Sequence, residues 1–279
     1  MTDTIPAPSS TIAIIGGGVM GGAIAAGVRN GGWPAEAVTV ADRHSETLAD
    51  LAGAHGLLTT TSVAEAAAGA DVIVFAVKPQ NAAEVLAEFG PHVKPGSMVL
   101  TIAAGLSASF YEARLPHGTP VVRAMPNTPA LVGFGATAIA AGASATDAHL
   151  AVAAKVLAAT GLVVTVDEGQ INAVSTVSGS GPAYFYAFVE AMVEAGITQG
   201  LDRDVASALA RQTLIGAGRL LESSGATPAE LRARVSSKGG TTLAALEAMG
   251  HAGLQTVVAV GLSAADRRAR ELAVELAGE

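Results

Sequence analysis

From residue 11 to residue 166 the sequence alternates short apolar runs with helix-like stretches, and that alternation leaves few folds open. The strand-sized runs cover residues 11–15, 37–41, 71–77, 98–102 and 120–125. Helical stretches over 21–30, 45–55, 81–89 and 107–114 separate them. Two further strands, 136–140 and 162–166, flank a helix over 147–160. Strands interleaved with helices predict a mainly parallel, doubly wound sheet covered on both faces. The unbroken apolar run Val72-Ile-Val-Phe-Ala-Val77 fits a strand buried on both sides. Residues 1–10, rich in Pro and Ser, are expected to be loose.

After residue 167 the strand signals stop. Pro182 opens a helix in which Phe185, Phe188, Val189, Met192 and Val193 recur at helical spacing. Asp202 can cap a second helix reaching Ser224, and Thr227-Pro-Ala-Glu230 is a capping box with Pro at the first helical position. A short helix then reaches Met249, with Gly250 as its stop, and a last helix covers 262–276. The expected organisation is an α/β domain over 1–166 and an all-α domain over 167–279.

The first apolar run ends in Gly16-Gly-Gly18-Val19-Met20-Gly21, a G-x-G-x-x-G turn between a strand and a helix. In that setting it is a Rossmann dinucleotide fingerprint. Gly16 allows the turn, Gly18 lets a pyrophosphate approach, Gly21 permits close helix packing, and the helix start offers free N–H groups. The second strand leads into Asp42-Arg43-His44-Ser45, where the fingerprint expects its ribose reader. Asp42 favours the free 2′-hydroxyl of NAD, whereas Arg43 and Ser45 favour the 2′-phosphate of NADP. Arg43 also reads as an ordinary solvated charge. The balance points to NADP, with NADPH preferred and NADH possible.

In a doubly wound sheet, ligands bind beyond the carboxyl ends of the strands. Val77-Lys78-Pro79 follows one strand there, and Ala103-Ala104-Gly105 follows another and leaves room for a nicotinamide ring. Met125 and Asn127 end a third within Arg123-Ala-Met-Pro-Asn-Thr-Pro129. Asn127 either bonds a carboxamide or holds a turn, and Arg123 is equally placed to pair with an acidic side chain. Val235-Ser-Ser-Lys-Gly-Gly-Thr-Thr242 is a loop of glycines and hydroxyls feeding a helix start. It offers amides and a favourable dipole to a substrate carboxylate, or serves only as a cap and turn.

Composition excludes several chemistries. There is no cysteine among 279 residues, so disulfides and thiolate nucleophiles or ligands are out. The six histidines form no His-x-x-x-His pair, and no metal site is expected. Net charge is −8 and the basic residues are scattered, which argues against nucleic acid. The uncharged stretches 124–146 and 169–189 carry Pro, Gly and polar side chains, so no membrane span is expected, nor an export signal. A cytoplasmic location follows as the expectation. Only 14% of residues are charged, against about 25% in ordinary domains, which suggests a surface covered by another subunit, or a merely alanine-rich chain.

Six motifs in order resemble one family: Gly16–Gly21, Ala76-Val-Lys-Pro79, Ile102-Ala-Ala-Gly105, Arg123-x-Met-Pro-Asn-Thr-Pro129, Ser178-Gly-Ser-Gly-Pro-Ala183 and Ser236-Ser-Lys-Gly-Gly-Thr-Thr242. They are similar to the successive signatures of pyrroline-5-carboxylate reductases and span nearly the whole chain. The resemblance implies reduction of Δ1-pyrroline-5-carboxylate to L-proline by NAD(P)H. It implies a helical domain that forms an intertwined homodimer, with further assembly, commonly to decamers. It places Ser237, Gly239, Gly240, Thr241 and Thr242 on the substrate, with amides on the carboxylate and Thr242 near the ring nitrogen. Thr242 and Ser237 are thereby the catalytic candidates. Lys78, Ala104 and Asn127 line the nicotinamide side. One departure is Thr59-Thr-Thr-Ser62-Val63, where family members often carry Asn near the adenosine and Ser62 must substitute.

Two other readings compete. A 3-hydroxyisobutyrate-type dehydrogenase shares the two-domain plan but needs a Lys and then an Asn in its catalytic helix. Gly181-Pro-Ala-Tyr-Phe-Tyr-Ala-Phe188 has neither. A non-catalytic NADP sensor would have no need of the second anion loop.

Overall fold

The computed structural model describes residues 10–277. Two compact units emerge, one formed by residues 10–180 with 266–277 and the other by 181–265.

In the first unit, β1 (Ile12–Ile15) leads through the glycine turn into α1 (Val19–Asn30). β2 (Val38–Ala41), α2 (Ser45–His55), β3 (Leu58–Thr60), α3 (Val63–Ala68), β4 (Val72–Phe75) and α4 (Ala82–Phe89) follow. The chain continues as β5 (Met98–Thr101), α5 (Ala108–Glu112), β6 (Val121–Met125), β7 (Gly135–Ala141), α6 (Asp147–Leu157), β8 (Gly161–Thr165) and α7 (Ile171–Val174). The eight strands form one sheet in the order β3-β2-β1-β4-β5-β6-β7-β8. Only the β6–β7 pairing is antiparallel, so the doubly wound, mainly parallel expectation holds.

Strand pleating divides each continuous apolar run between two layers. Ile12 and Ile14 join Ile24 and Val28 of α1 and Leu157 of α6 on one face. Ala13 and Ile15 join Ile73 and Phe75 of β4, Phe89 of α4 and Tyr111 of α5 on the other. Each fully buried Ile or Phe contributes about 1.5–3 kcal/mol, so these two layers carry most of the unit's stabilisation. Leu276 packs against the second layer.

The second unit is helical, with α8 (Gly181–Thr198), α9 (Arg203–Ser224), α10 (Pro228–Arg234), α11 (Thr241–His251) and the first part of α12 (Leu254–Ala277). Gly200, at φ +95°, makes the turn from α8 to α9, and Ala206 packs where a side chain at Gly196 would sit. Glu230 and Thr227 complete the expected capping box at the start of α10. Asp202 occupies the cap position of α9 but makes no side-chain capping bond.

Two local expectations are corrected, and two features carried no expectation. The helix after the Ser236–Thr242 loop does not stop at Gly250. It runs to His251, and the left-handed residue that breaks the chain is Gly253, at φ +85°. The last helix accordingly starts at Leu254 rather than 262. β3 had no signal of its own, because it is three residues long and lies exposed at the sheet edge. The uncharged stretch after residue 169 contains α7 and a π-helical turn over Ser175–Gly179.

Candidate active site

Parallel register brings the carboxyl ends of several strands level. Ile15 lies opposite both Ala41 and Phe75, Phe75 opposite Thr101, and Thr101 opposite Arg123. The residues that follow them therefore sit along one edge of the sheet: the glycine turn, Asp42 and Arg43, Val77 to Pro79, Ala103 to Gly105, and Asn127. Sheet topology, rather than nearness in sequence, gathers the expected cofactor residues.

The three fingerprint glycines have three different reasons. Gly16 adopts φ +104°, and a Cβ there would lie 2.7 Å from the Ala76 carbonyl. At Gly21 a Cβ would fall 1.9 Å from the Gly16 carbonyl oxygen, so the helix could not pack on the turn. Gly18 has φ −63° and nothing within 4 Å of a built Cβ. Neither strain nor packing demands glycine at 18; the open space in front of it suits an approaching phosphate group. Gly18 also caps α1 without a capping side chain, and the first helical bond runs from Gly22 N–H to its carbonyl. The amides of the first turn, which includes Val19 and Met20, are left for an anion. These features fit a dinucleotide pyrophosphate.

Asp42 is turned toward this loop. Its Oδ2 accepts the Gly17 amide at 2.7 Å, and its Oδ1 accepts the His44 amide at 2.9 Å and faces His44 Nδ1 at 2.8 Å. Burial alone would raise this carboxyl; the hydrogen bonds from the His44 and Gly17 amides and from the His44 ring outweigh it and hold the group below its ordinary value. Arg43 is exposed. Ser62 caps α3, its hydroxyl accepting the Glu65 amide at 3.1 Å.

Beyond β4, Lys78 is exposed and precedes a single 3-10 turn opened by Pro79. Beyond β5, Ala103 is buried, Ala104 is exposed, and Gly105 takes φ +84° against Leu276. Asn127 is buried and holds turns: Nδ2 donates to the Ser178 carbonyl at 3.0 Å, and Oδ1 accepts the Ala136 amide at 2.8 Å. Met125 reaches Gly179, where a Cβ would meet its terminal methyl at 2.9 Å. Arg123 has the acidic partner envisaged for it, Glu168 at 3.1 Å, and the same carboxylate oxygen accepts the Ala108 amide at 2.6 Å. Tyr111 lies in the core rather than the site, and burial pushes its phenol up to about 12.

In the second unit, Ser237 to Gly240 forms a tight turn closed by Gly240 N–H to the Ser237 carbonyl at 2.9 Å. Gly239 adopts φ +73°, and a Cβ at Gly240 would lie 2.5 Å from Ser237 Oγ. Gly240 caps α11 without a side chain, so the amides of Thr241 and Thr242 open a helix whose N-terminus nothing covers from within the cap. Thr242 is half-buried and Ser237 and Thr241 are exposed.

Sequence reasoning missed three features of the site. Glu168 shows no motif, and only a buried arginine in need of a partner could have pointed to it. The π-helical turn before α8 is the kind of irregularity that recurs at functional sites, and Ser178-Gly-Ser-Gly181 was its one visible trace. Asp42 was weighed as a ribose ligand, although both of its oxygens are engaged by protein donors. Among the described residues no group of His, Asp and Glu could hold a metal ion. Among the described residues no single helix is long and apolar enough to cross a membrane.

Residues 168–272 match the family model for pyrroline-5-carboxylate reductase dimerisation, and residues 11–105 match one for NADP oxidoreductase, coenzyme F420-dependent. The chain is 43% identical to a pyrroline-5-carboxylate reductase of Pseudomonas aeruginosa, over 95% of this chain and 97% of the relative. A Mycobacterium tuberculosis pyrroline-5-carboxylate reductase is 39% identical over 94% of this chain and 97% of its own length. Among solved structures, a pyrroline-5-carboxylate reductase from Coxiella burnetii superposes with a TM-score of 0.91 at 34% identity, covering 95% and 99% of the two chains. A Plasmodium falciparum pyrroline carboxylate reductase with NADP bound gives 0.82 at 25% identity, covering 96% and 99%. With that identity across almost its entire length, the chain belongs to the pyrroline-5-carboxylate reductase family.

Proposed function

We propose that this protein reduces the C=N bond of Δ1-pyrroline-5-carboxylate to L-proline with NADPH, in proline biosynthesis. The observation that carries the reading is a pair of uncapped helix starts in a chain of this family: α1 behind the open Gly18, and α11 behind the Ser237–Gly240 turn. One suits a pyrophosphate and the other a carboxylate.

When bound, NADPH supplies the hydride that adds to the imine carbon. The protein's part is to hold and orient. Gly16, Gly18, Val19, Met20 and Gly21 receive the pyrophosphate, Arg43 the 2′-phosphate, and Ser62 the adenosine side. Val77, Lys78, Pro79, Ala103, Ala104, Gly105, Met125 and Asn127 line the nicotinamide side. Ser237, Gly239, Gly240 and Thr241 hold the substrate carboxylate, and the Thr242 hydroxyl orients the ring nitrogen. A protonated cyclic imine is already a strong hydride acceptor, so positioning outweighs acid catalysis.

The working division of labour lies at 166/167, with cofactor chemistry before it and substrate binding and dimerisation after it. The assembly is a homodimer that builds further to a decamer, in the cytoplasm.

The deciding experiment follows NADPH absorbance with purified protein and Δ1-pyrroline-5-carboxylate, beside NADH and beside 3-hydroxyisobutyrate with NADP⁺. Imine-dependent oxidation is the expected result, and turnover of the hydroxy acid alone would sink the reading. Thr242→Ala should lower kcat by about one to three orders of magnitude in a folded protein, the loss of one positioned hydrogen bond. Unchanged kinetics would remove Thr242 from the mechanism.

A further inference from the structure

Asp42 stands at the end of β2, where a carboxylate that reads a free ribose would stand. Both of its oxygens already accept from the protein. One oxygen is held by the Gly17 amide at 2.7 Å and the other by the amide of His44 at 2.9 Å, with the His44 ring at 2.8 Å. The Asp42 side chain is 13% exposed and that of His44 is 63% exposed. An ionised carboxylate can only accept hydrogen bonds, so His44 Nδ1 must carry the proton between them. That orients the ring, whose second nitrogen lies away from Asp42 and donates only when the ring is protonated. Beside it is the exposed Arg43, and His44 itself is the cap residue of α2, where no side chain occupies the helix amides.

We propose that His44, oriented by Asp42, reads the 2′-phosphate of NADP together with Arg43, and that this histidine–aspartate pair sets the preference for NADPH over NADH. The inference rests on the NADP reading given above and deepens it. An unengaged Asp at this point would accept from a 2′-hydroxyl and repel a phosphate dianion. Here the carboxylate is drawn back onto the glycine turn, and a ring able to carry positive charge takes the outward position. A protonated imidazole has an N–H on each nitrogen, so one can meet Asp42 while the other meets the phosphate. Arg43 adds a planar fork suited to the same group. The Gly17 contact also ties the adenosine end of the site to the pyrophosphate turn, so the ring is oriented relative to the cofactor's backbone and not only to its own loop.

The test is calorimetric titration of the full chain with 2′-phosphoadenosine 5′-diphosphate and with ADP, in the wild type, His44→Gln and His44→Arg. The readout is the ratio of the two affinities. His44→Gln keeps a polar side chain but no charge, and should lower the ratio about tenfold, the loss of one charge-assisted contact. His44→Arg restores a cation and should recover most of the ratio. An unchanged ratio in His44→Gln overturns the proposal. So does an equal loss in both variants, which would make the ring only a structural prop. The ratio does not depend on turnover: a wild type inactive on the imine would sink the reductase reading and leave His44 to be judged by binding alone.

Discussion

At the scale of single residues, Gly18 and Gly21 look alike in sequence and differ in what they do. A Cβ at Gly21 would meet the Gly16 carbonyl at 1.9 Å, far inside contact distance, whereas one at Gly18 would meet nothing within 4 Å. The two alanine variants should therefore fail differently. Gly21→Ala forces backbone to move, with a destabilisation of about 1–3 kcal/mol or more. It should lower the melting temperature and weaken NADPH binding together. Gly18→Ala should melt within a few degrees of the wild type. Its KM for NADPH should nevertheless rise at least about tenfold, because the added methyl occupies the phosphate approach. Thermal melts and initial-rate kinetics on the two variants check this. A Gly18→Ala enzyme with an unchanged KM would mean that the cofactor does not approach the turn there.

At the scale of elements, Asn127 joins three pieces of backbone: the end of β6 that carries it, the start of β7 through Ala136, and the π-helical turn through Ser178. Asn127→Asp exchanges a donor for an oxygen facing the Ser178 carbonyl in a buried place. It should cost about 1–3 kcal/mol, read as a lower urea midpoint with an unchanged slope. Equal stability would show that the π-helical turn does not depend on this bond. Such junctions explain what could be read in advance. The parallel sheet was legible because Ile12 to Ile15 and Val72 to Phe75 are apolar at every position, which only a doubly covered strand tolerates. The glycine turn and the Thr227 box were legible because their residues interact within a few positions of each other. β3 was not, since three residues at an edge, two of them exposed, have no pattern to show. Gly250 misled because glycine in a helix is only weakly unfavourable, about 1 kcal/mol, while the break itself needs the positive φ that Gly253 supplies. Asp42 was readable as the carboxylate that follows β2, but not its engagement with Gly17, a contact that exists only once β1 and β2 are paired.

For the whole molecule, the second unit poses a stability problem that one copy does not solve. Its only buried residues are Gly181, Ala206 and Ala210, all small. Phe185, Tyr186, Ile215, Val257 and Val260 are each more than half exposed. Apolar surface of that extent marks an interface. The unit belongs to the region matched by the dimerisation model. The protein should therefore sediment as a dimer or larger at micromolar concentration, and its melting temperature should rise with protein concentration, because subunit association contributes to stability. A stable monomer with a concentration-independent melt would contradict this.

Leu276 gives the first unit an unusual timetable. Its side chain fills the space beside Gly105 that a Cβ would otherwise need, 2.9 Å away, and it packs on the second core layer with Phe75 and Tyr111. On the ribosome, the strands that carry this layer emerge long before residue 276 does. The sheet can form early, but the loop expected to flank the nicotinamide is walled on one side by a residue synthesised after the entire helical unit. Nascent chains interrupted anywhere before α12 ends would hold a glycine turn and a Gly105 loop without Leu276 beside it. In such chains the affinity for the adenosine end of the cofactor should be acquired before the nicotinamide end is fully enclosed.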